Sequence, residues 1–226
     1  MMATTHALAG MALASVVTLL APEFAPVAVV AAGAGGVFPD LDMPGRHRRT
    51  LHFPVYYSLV SVCLLAVALV VPTPVTVALA AFVGAAALHS VSDVLGGGLE
   101  LRPWEGTSDR AVYDHYRGQW LRPRRWVRYD GAPEDVALAG LLAVPTLALA
   151  GGSGPFLATA LSVESIQAVA LSGGLVPTLV VALVGVSVAY GLVRKPLVAL
   201  GEWLVAGLPP GFVDRLPGSF ADDLVE

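Results

Sequence analysis

PVTVALAAFVGAAALHSVSDVL, residues 74–95, decides the fold. Residues 74–88 carry no charge, and a helix that crosses a bilayer needs about 20 mostly apolar residues. The stretch then closes with His89, Ser90, Ser92 and Asp93. His89 and Asp93 are four residues apart, so a helix places them on one face. An ionisable pair at the end of an apolar run is costly in lipid and marks a functional site.

Working outward, similar apolar windows occupy 54–71, 136–150 and 173–193. A weaker pair, 6–20 and 25–37, is split by Pro22, Glu23 and Pro26. The chain has 226 residues, 56% of them hydrophobic and 13% charged, against about 25% charged in a soluble domain. The expectation is an all-α membrane protein, a polytopic bundle of about five to six transmembrane helices arranged as hairpins. The first two segments are short enough that they need not cross fully. Lys and Arg are absent before Arg46, so the first segment lacks the basic start of a cleaved signal peptide and reads as mature protein.

Ten of the thirteen Lys and Arg fall between Arg46 and Arg128, in the connections after the second and fourth segments. Positive charge marks the cytoplasmic side. The expected arrangement is a multi-pass cell-membrane protein with both termini and every basic cluster cytoplasmic. It divides into metal-site hairpins (1–95), a cytoplasmic basic and aromatic loop (96–135), a C-terminal transmembrane hairpin (136–195), and a cytoplasmic interfacial helix and tail (196–226).

This topology gathers ligand-type residues at one depth. His6 opens the first segment, Asp40 and Asp42 follow the second, His47 and His52 precede the third, and His89 and Asp93 close the fourth. Imidazoles and carboxylates without thiolates suit a divalent transition metal, zinc or manganese foremost. His6, Asp40, His47, His52, His89 and Asp93 are the candidate ligands. They are enough for one ion with supporting residues or for two side by side. Asp42 or Asp93, if left off the metal, is the candidate general base. The single cysteine, Cys63, excludes an internal disulfide and a cysteine-based zinc site.

The loop at 102–135 interleaves seven Arg with Trp104, Tyr113, Tyr116, Trp120, Trp126 and Tyr129. Such a segment sits at a membrane interface. Arg102, Arg124 and Arg125 are its candidates for gripping an anionic or amphiphilic small-molecule substrate beside the lipid bilayer. A net charge of -4 argues against nucleic acid as a partner. His115 reads as an ordinary interfacial histidine. No nucleophile elbow, phosphate-binding loop or His-Glu-x-x-His helix is present, which leaves metal-activated water as the simplest nucleophile.

THALAG (5–10), FPDLDMP (38–44), HRRTLH (47–52) and LHSVSDVLGGGLELRPW (88–104) together resemble the LexA-binding, inner-membrane-associated hydrolases, also described as membrane-bound metal-dependent hydrolases. The resemblance covers residues 1–105 and points to His6, Asp40, Asp42, His47, His52, His89 and Asp93. Arg49 and Phe53 depart from it, standing where the family has Gly and Ser. It implies a membrane-bound metal-dependent hydrolase, and the His/Asp site with its metal-activated water gives the expectation of an ester or phosphoester of an amphiphilic substrate. Two other readings stay open at this point: a non-catalytic membrane protein whose metal staples helix ends together, and a metal-ion transporter.

Overall fold

The computed structural model describes residues 1–43, 46–150 and 174–207. Helix α1 (Ala3–Ala14) continues into the short α2 (Val17–Leu20), and a 3-10 turn at Pro22–Phe24 reverses the chain into α3 (Ala25–Val37). A second 3-10 turn, Phe38–Asp42, leads to the polar loop and then to α4 (Pro54–Val70) and α5 (Pro74–Ser92). After the basic loop come α6 (Pro133–Ala150) and α7 (Leu175–Ala206).

Proline sets several of these starts. Pro54 and Pro74 stand in the first turn of α4 and α5, where no intrahelical partner exists for the missing N–H. Thr73 and Thr76 cap α5 reciprocally, each side chain accepting from the other's backbone N–H.

Among the described residues, four stretches are long and apolar enough to cross a membrane: Ala3–Leu20, Pro22–Asp42, Pro74–Leu95 and Leu175–Ala206. Pro54–Val70 is apolar but shorter. The outer faces are greasy, with Leu59, Val62, Leu69 and Val70 of α4 and Leu192 of α7 among the exposed residues. Water would not tolerate so continuous an apolar surface.

Among the described helices α1 packs with α3, α4 with α5 and α6 with α7, while α1 and α3 also lie against α5. The contact surfaces are made of small residues, including Ala28, Ala32, Ala85, Ala139 and Ala143, with Leu8, Met11 and Val180 filling between them. Lipid supplies no hydrophobic drive between helices, so close approach over small residues does the holding. A Cβ on Gly36 would lie 2.5 Å from the His6 carbonyl oxygen, and one on Gly35 would collide with the Phe82 carbonyl. Buried polar ties reinforce the packing. Asp135 in the first turn of α6 accepts from Thr5 Oγ1 at 2.7 Å and from the Met2 N–H at 2.8 Å, and Ser187 of α7 donates to Thr4 Oγ1 at 2.7 Å.

Two features differ from the sequence expectation. The basic loop contains a small antiparallel hairpin, β1 (Val112–Asp114) and β2 (Gln119–Leu121), in the register Val112↔Leu121 and Asp114↔Gln119. Asp114 caps its turn, accepting from the Tyr116 and Arg117 N–H groups, and Gly118 supplies the positive φ the turn needs. The expected boundary at 195/196 is also absent, because α7 runs unbroken through Pro196 to Ala206. A proline inside a helix removes one hydrogen bond, a loss that membrane helices tolerate when neighbouring groups compensate. The expected external turn at 151–167 and the tail at 208–226 lie outside the described residues.

Candidate metal centre

Gly36 lets α1 and α3 approach until the His6 backbone touches it, and α5 packs against both. That brings the start of α1, the turn after α3, the residue before α4 and the end of α5 to one end of the bundle. Asp40 Oδ1, His52 Nε2, His89 Nε2 and Asp93 Oδ2 converge there. All four ligand atoms lie within 4.8 Å of one another.

The individual separations are narrow. His52 Nε2 lies 3.2 Å from His89 Nε2 and 3.2 Å from Asp93 Oδ2. Asp40 Oδ1 is 3.3 Å from His89 Nε2 and 3.6 Å from His52 Nε2, and Asp93 Oδ2 is 3.5 Å from His89 Nε2. Ligands at 2.0–2.1 Å around a tetrahedral ion stand about 3.3 Å apart. Five of the six separations therefore lie close to the spacing of ligand atoms around one small ion.

Hydrogen bonding fixes which atoms face inward. His89 Nδ1 donates to the Gly36 carbonyl at 2.6 Å, and His52 Nδ1 donates to Asp42 Oδ2 at 3.1 Å. Both histidines thus spend their Nδ1–H outside and turn Nε2 toward the centre, as metal-ligating histidines do. Asp93 Oδ2 is buried and accepts no hydrogen bond. Two imidazole nitrogens and two carboxylate oxygens at van der Waals contact repel one another unless positive charge sits among them, either as protons on the imidazoles or as a cation. The four residues can hold a metal ion, and the ion's identity is not specified by them.

Without an ion, protons take the place. Burial opposes a charged imidazolium at His52, but the neighbouring carboxylates of Asp40, Asp42 and Asp93 outweigh it and raise its pKa from 6.5 to about 10.

The remaining sequence candidates surround this cage. His6 stacks on the His89 ring at 3.7 Å between centroids, with Nε2 on Asp93 Oδ1 at 3.0 Å and Ser92 Oγ 3.2 Å from Nδ1. Asp42 has both oxygens engaged, Oδ1 by His47 Nδ1 at 2.9 Å and Oδ2 by His52 and the Leu51 N–H. His6, His47 and Asp42 are thus outside the four, each one contact away. His115 packs on Phe53 and Tyr113. Side-chain exposure is 11% for Asp40 and at most 1% for the other three, so the cage opens on the Asp40 side.

The three arginines proposed to grip substrate have other employment in two cases. Arg102 forms a bidentate pair with Glu202 of α7, at 2.5 and 2.6 Å. Arg125 donates to the carbonyls of Gly106 and Ser108. Arg124 is exposed, and its backbone N–H binds the Val94 carbonyl beside the cage.

Sequence reasoning missed two groups that the structure places at the centre. Arg48 has its guanidinium buried between the cage, Gly97 and Asp130, and the Gly36 carbonyl orients His89. The adjacency of Arg48 to His47 in a loop gave no sign of its burial. The run GAGG at 33–36 carries no sign that one of its carbonyls receives a ligand histidine.

No family model, curated protein or solved structure matches the chain.

Proposed function

We propose that the chain is a membrane-embedded, metal-dependent hydrolase, acting at the cytoplasmic face on an ester or phosphoester of an amphiphilic substrate. The observation that supports this most directly is the convergence of Asp40 Oδ1, His52 Nε2, His89 Nε2 and Asp93 Oδ2, at 3.2–3.6 Å along five of the six edges. The sequence resemblance to membrane-bound metal-dependent hydrolases points the same way, and the one-sided distribution of arginine favours a cytoplasmic location. About five to six membrane segments paired as hairpins accommodate the observed packing of neighbouring helices.

A divalent ion in such a site supplies a nucleophilic water at neutral pH and polarises the scissile group. Asp40, His52 and His89 form the set of three protein ligands that leaves a catalytic position open. Asp93 faces that position with an oxygen free of hydrogen-bond donors and is the proton acceptor, its other oxygen steadied by His6. Asp42 holds His52 in the tautomer that presents Nε2.

A second reading rests on the same geometry. If Asp93 Oδ2 is itself a ligand, the tetrahedron is closed by protein, as in structural sites, and the ion fastens helix ends together. One experiment separates the two. Purified protein is chelated in micelles, and its helical content and its hydrolysis of a panel of esters and phosphoesters are followed together. The hydrolase loses turnover while keeping its helices, which satisfy their own backbone hydrogen bonds. A closed site melts, and no substrate is turned over before or after chelation.

A further inference from the structure

Arg48 stands in the loop between Asp42 and His52, in a left-handed backbone conformation at φ 57. A residue with a side chain holds that conformation only where its surroundings impose it. Its guanidinium is 4% exposed and keeps its charge at any physiological pH. Nη1 donates to the Gly97 carbonyl at 2.8 Å and reaches the Ala111 carbonyl at 3.4 Å, while Nη2 reaches Asp130 Oδ1 at 3.5 Å. These contacts aim the fork without using all of it. Nε is buried and has no acceptor, and it lies 3.6 Å from Asp93 Oδ2, itself buried and without a donor.

The two charges pair at ion-pair distance, and Asp93 Oδ2 also faces His52 Nε2 at 3.2 Å, but Nε makes no hydrogen bond, and a buried donor held that way is costly to keep. The pair makes sense when something else completes both. With a cation in the cage, the charge of Asp93 is drawn to the ion, and Arg48 keeps the 3.5 Å contact to Asp130 and the longer-range fields of Asp40 and Glu100. A buried cation whose nearest carboxylate is shared with a metal attracts an anion. A neutral carboxylic ester brings no charge to that place. A phosphoryl group brings charge and several oxygens, and guanidinium nitrogens match phosphate oxygens in geometry.

We propose that Arg48 is the anion-binding group of this centre, and that its Nε–H receives a phosphoryl oxygen, so that the site takes phosphoesters in preference to carboxylic esters. This rests on the metal-site reading above and narrows its substrate class. Arg48 joins the loop, the Gly97 turn, the β1 region and the cage, and so the polar loop docks the phosphoryl group and the cage from one residue.

The test is calorimetric titration of the manganese-loaded protein in micelles with inorganic phosphate and, separately, with acetate. Wild type binds phosphate more tightly than acetate, and more tightly with manganese than without. Arg48→Gln and Arg48→Lys each weaken phosphate by about tenfold or more, the span expected for a hydrogen bond to a charged group, with manganese stoichiometry unchanged. The lysine variant keeps the charge and loses the fork. Arg117→Gln, at an exposed residue of the hairpin turn, leaves the affinity alone. Wild-type phosphate affinity in both Arg48 variants overturns the proposal, as does acetate binding equal to phosphate. Loss of manganese from both variants assigns Arg48 to holding Asp93 and also overturns it. Wild type that binds no ion removes the metal-site reading together with this one, whereas ion binding with phosphate affinity indifferent to Arg48 removes this one alone.

Discussion

His89 Nδ1 donates to the carbonyl oxygen of Gly36 at 2.6 Å, so one glycine both admits α1 to within touching distance of α3 and aims a ligand nitrogen at the cage. A Cβ there would lie 2.5 Å from the His6 oxygen and 2.8 Å from the Ala7 Cα, both backbone. Neither atom moves cheaply. Gly36→Ala is expected to cost about 1–3 kcal/mol by overpacking and to lower metal content with it. Thermal unfolding in micelles and metal analysis of the same sample check this, and unchanged values for both would show that the approach is not required.

Metal content should also sort the histidines. His52→Ala and His89→Ala each remove a nitrogen that faces the cage and should reduce the ion bound per chain. His115→Ala should not, since that ring packs against Phe53 and Tyr113. Retention of a full complement of ion in the His89 variant would sink the ligand assignment.

Asp42→Asn acts one contact further out. It leaves the cage atoms in place but exchanges the carboxylate that receives His52 Nδ1–H and His47 Nδ1 for a weaker acceptor. Substitutions of this kind typically weaken metal affinity about 10- to 100-fold. A competition titration against a chelator of known affinity measures the change, and wild-type affinity would mean that Asp42 does not orient His52.

Acidity and metal compete for the same nitrogen. Burial disfavours the charged form of His52, but its carboxylate neighbours prevail and raise its pKa to about 10. A folded-state pKa above the unfolded value of 6.5 contributes stability that is fully present below pH 6.5 and is lost as pH rises through about 10. An ion needs the neutral ring. Ion uptake at pH 7 should therefore release a proton, and the apparent affinity should rise between pH 6.5 and 10. Titration at pH 7 in buffers of different ionisation enthalpy counts the protons; none released would contradict the placement of His52 in the cage.

Sidedness is open to a direct test. Reporter fusions after Val71 and after Gly131 should report opposite sides of the membrane, because α5 lies between them. The same side for both would dismantle the hairpin scheme.

The apolar helices and the gathering of Asp40, His52, His89 and Asp93 were legible because each depends on sequence order and helical period: apolar runs, polar residues at their ends, a four-residue spacing from His89 to Asp93. What stayed hidden depends on contacts between residues far apart in the chain. Arg48 looks like any loop arginine until Gly97 and Asp130 close over it. Arg102 looks free until the end of α7 brings Glu202 to it, 100 residues later. The hairpin at Val112–Leu121 is short, and its strands hold Asp114 and Gln119, which lack strand preference, so its signal was the turn alone. Residues 196–206, expected as a separate interfacial helix, continue α7 without a break.

Asp135 gives the chain a schedule. The first turn of α1 rests its Met2 N–H and Thr5 hydroxyl on a carboxylate 133 and 130 residues further along, and Arg48 waits 82 residues for Asp130. As the chain leaves the ribosome, the cage residues are all delivered once α5 has emerged, but the beginning of α1 stays unfastened and Arg48 half-held until α6 follows. The fastening of the first turn and the last carboxylate partner of Arg48 thus come from polypeptide made after the cage residues themselves.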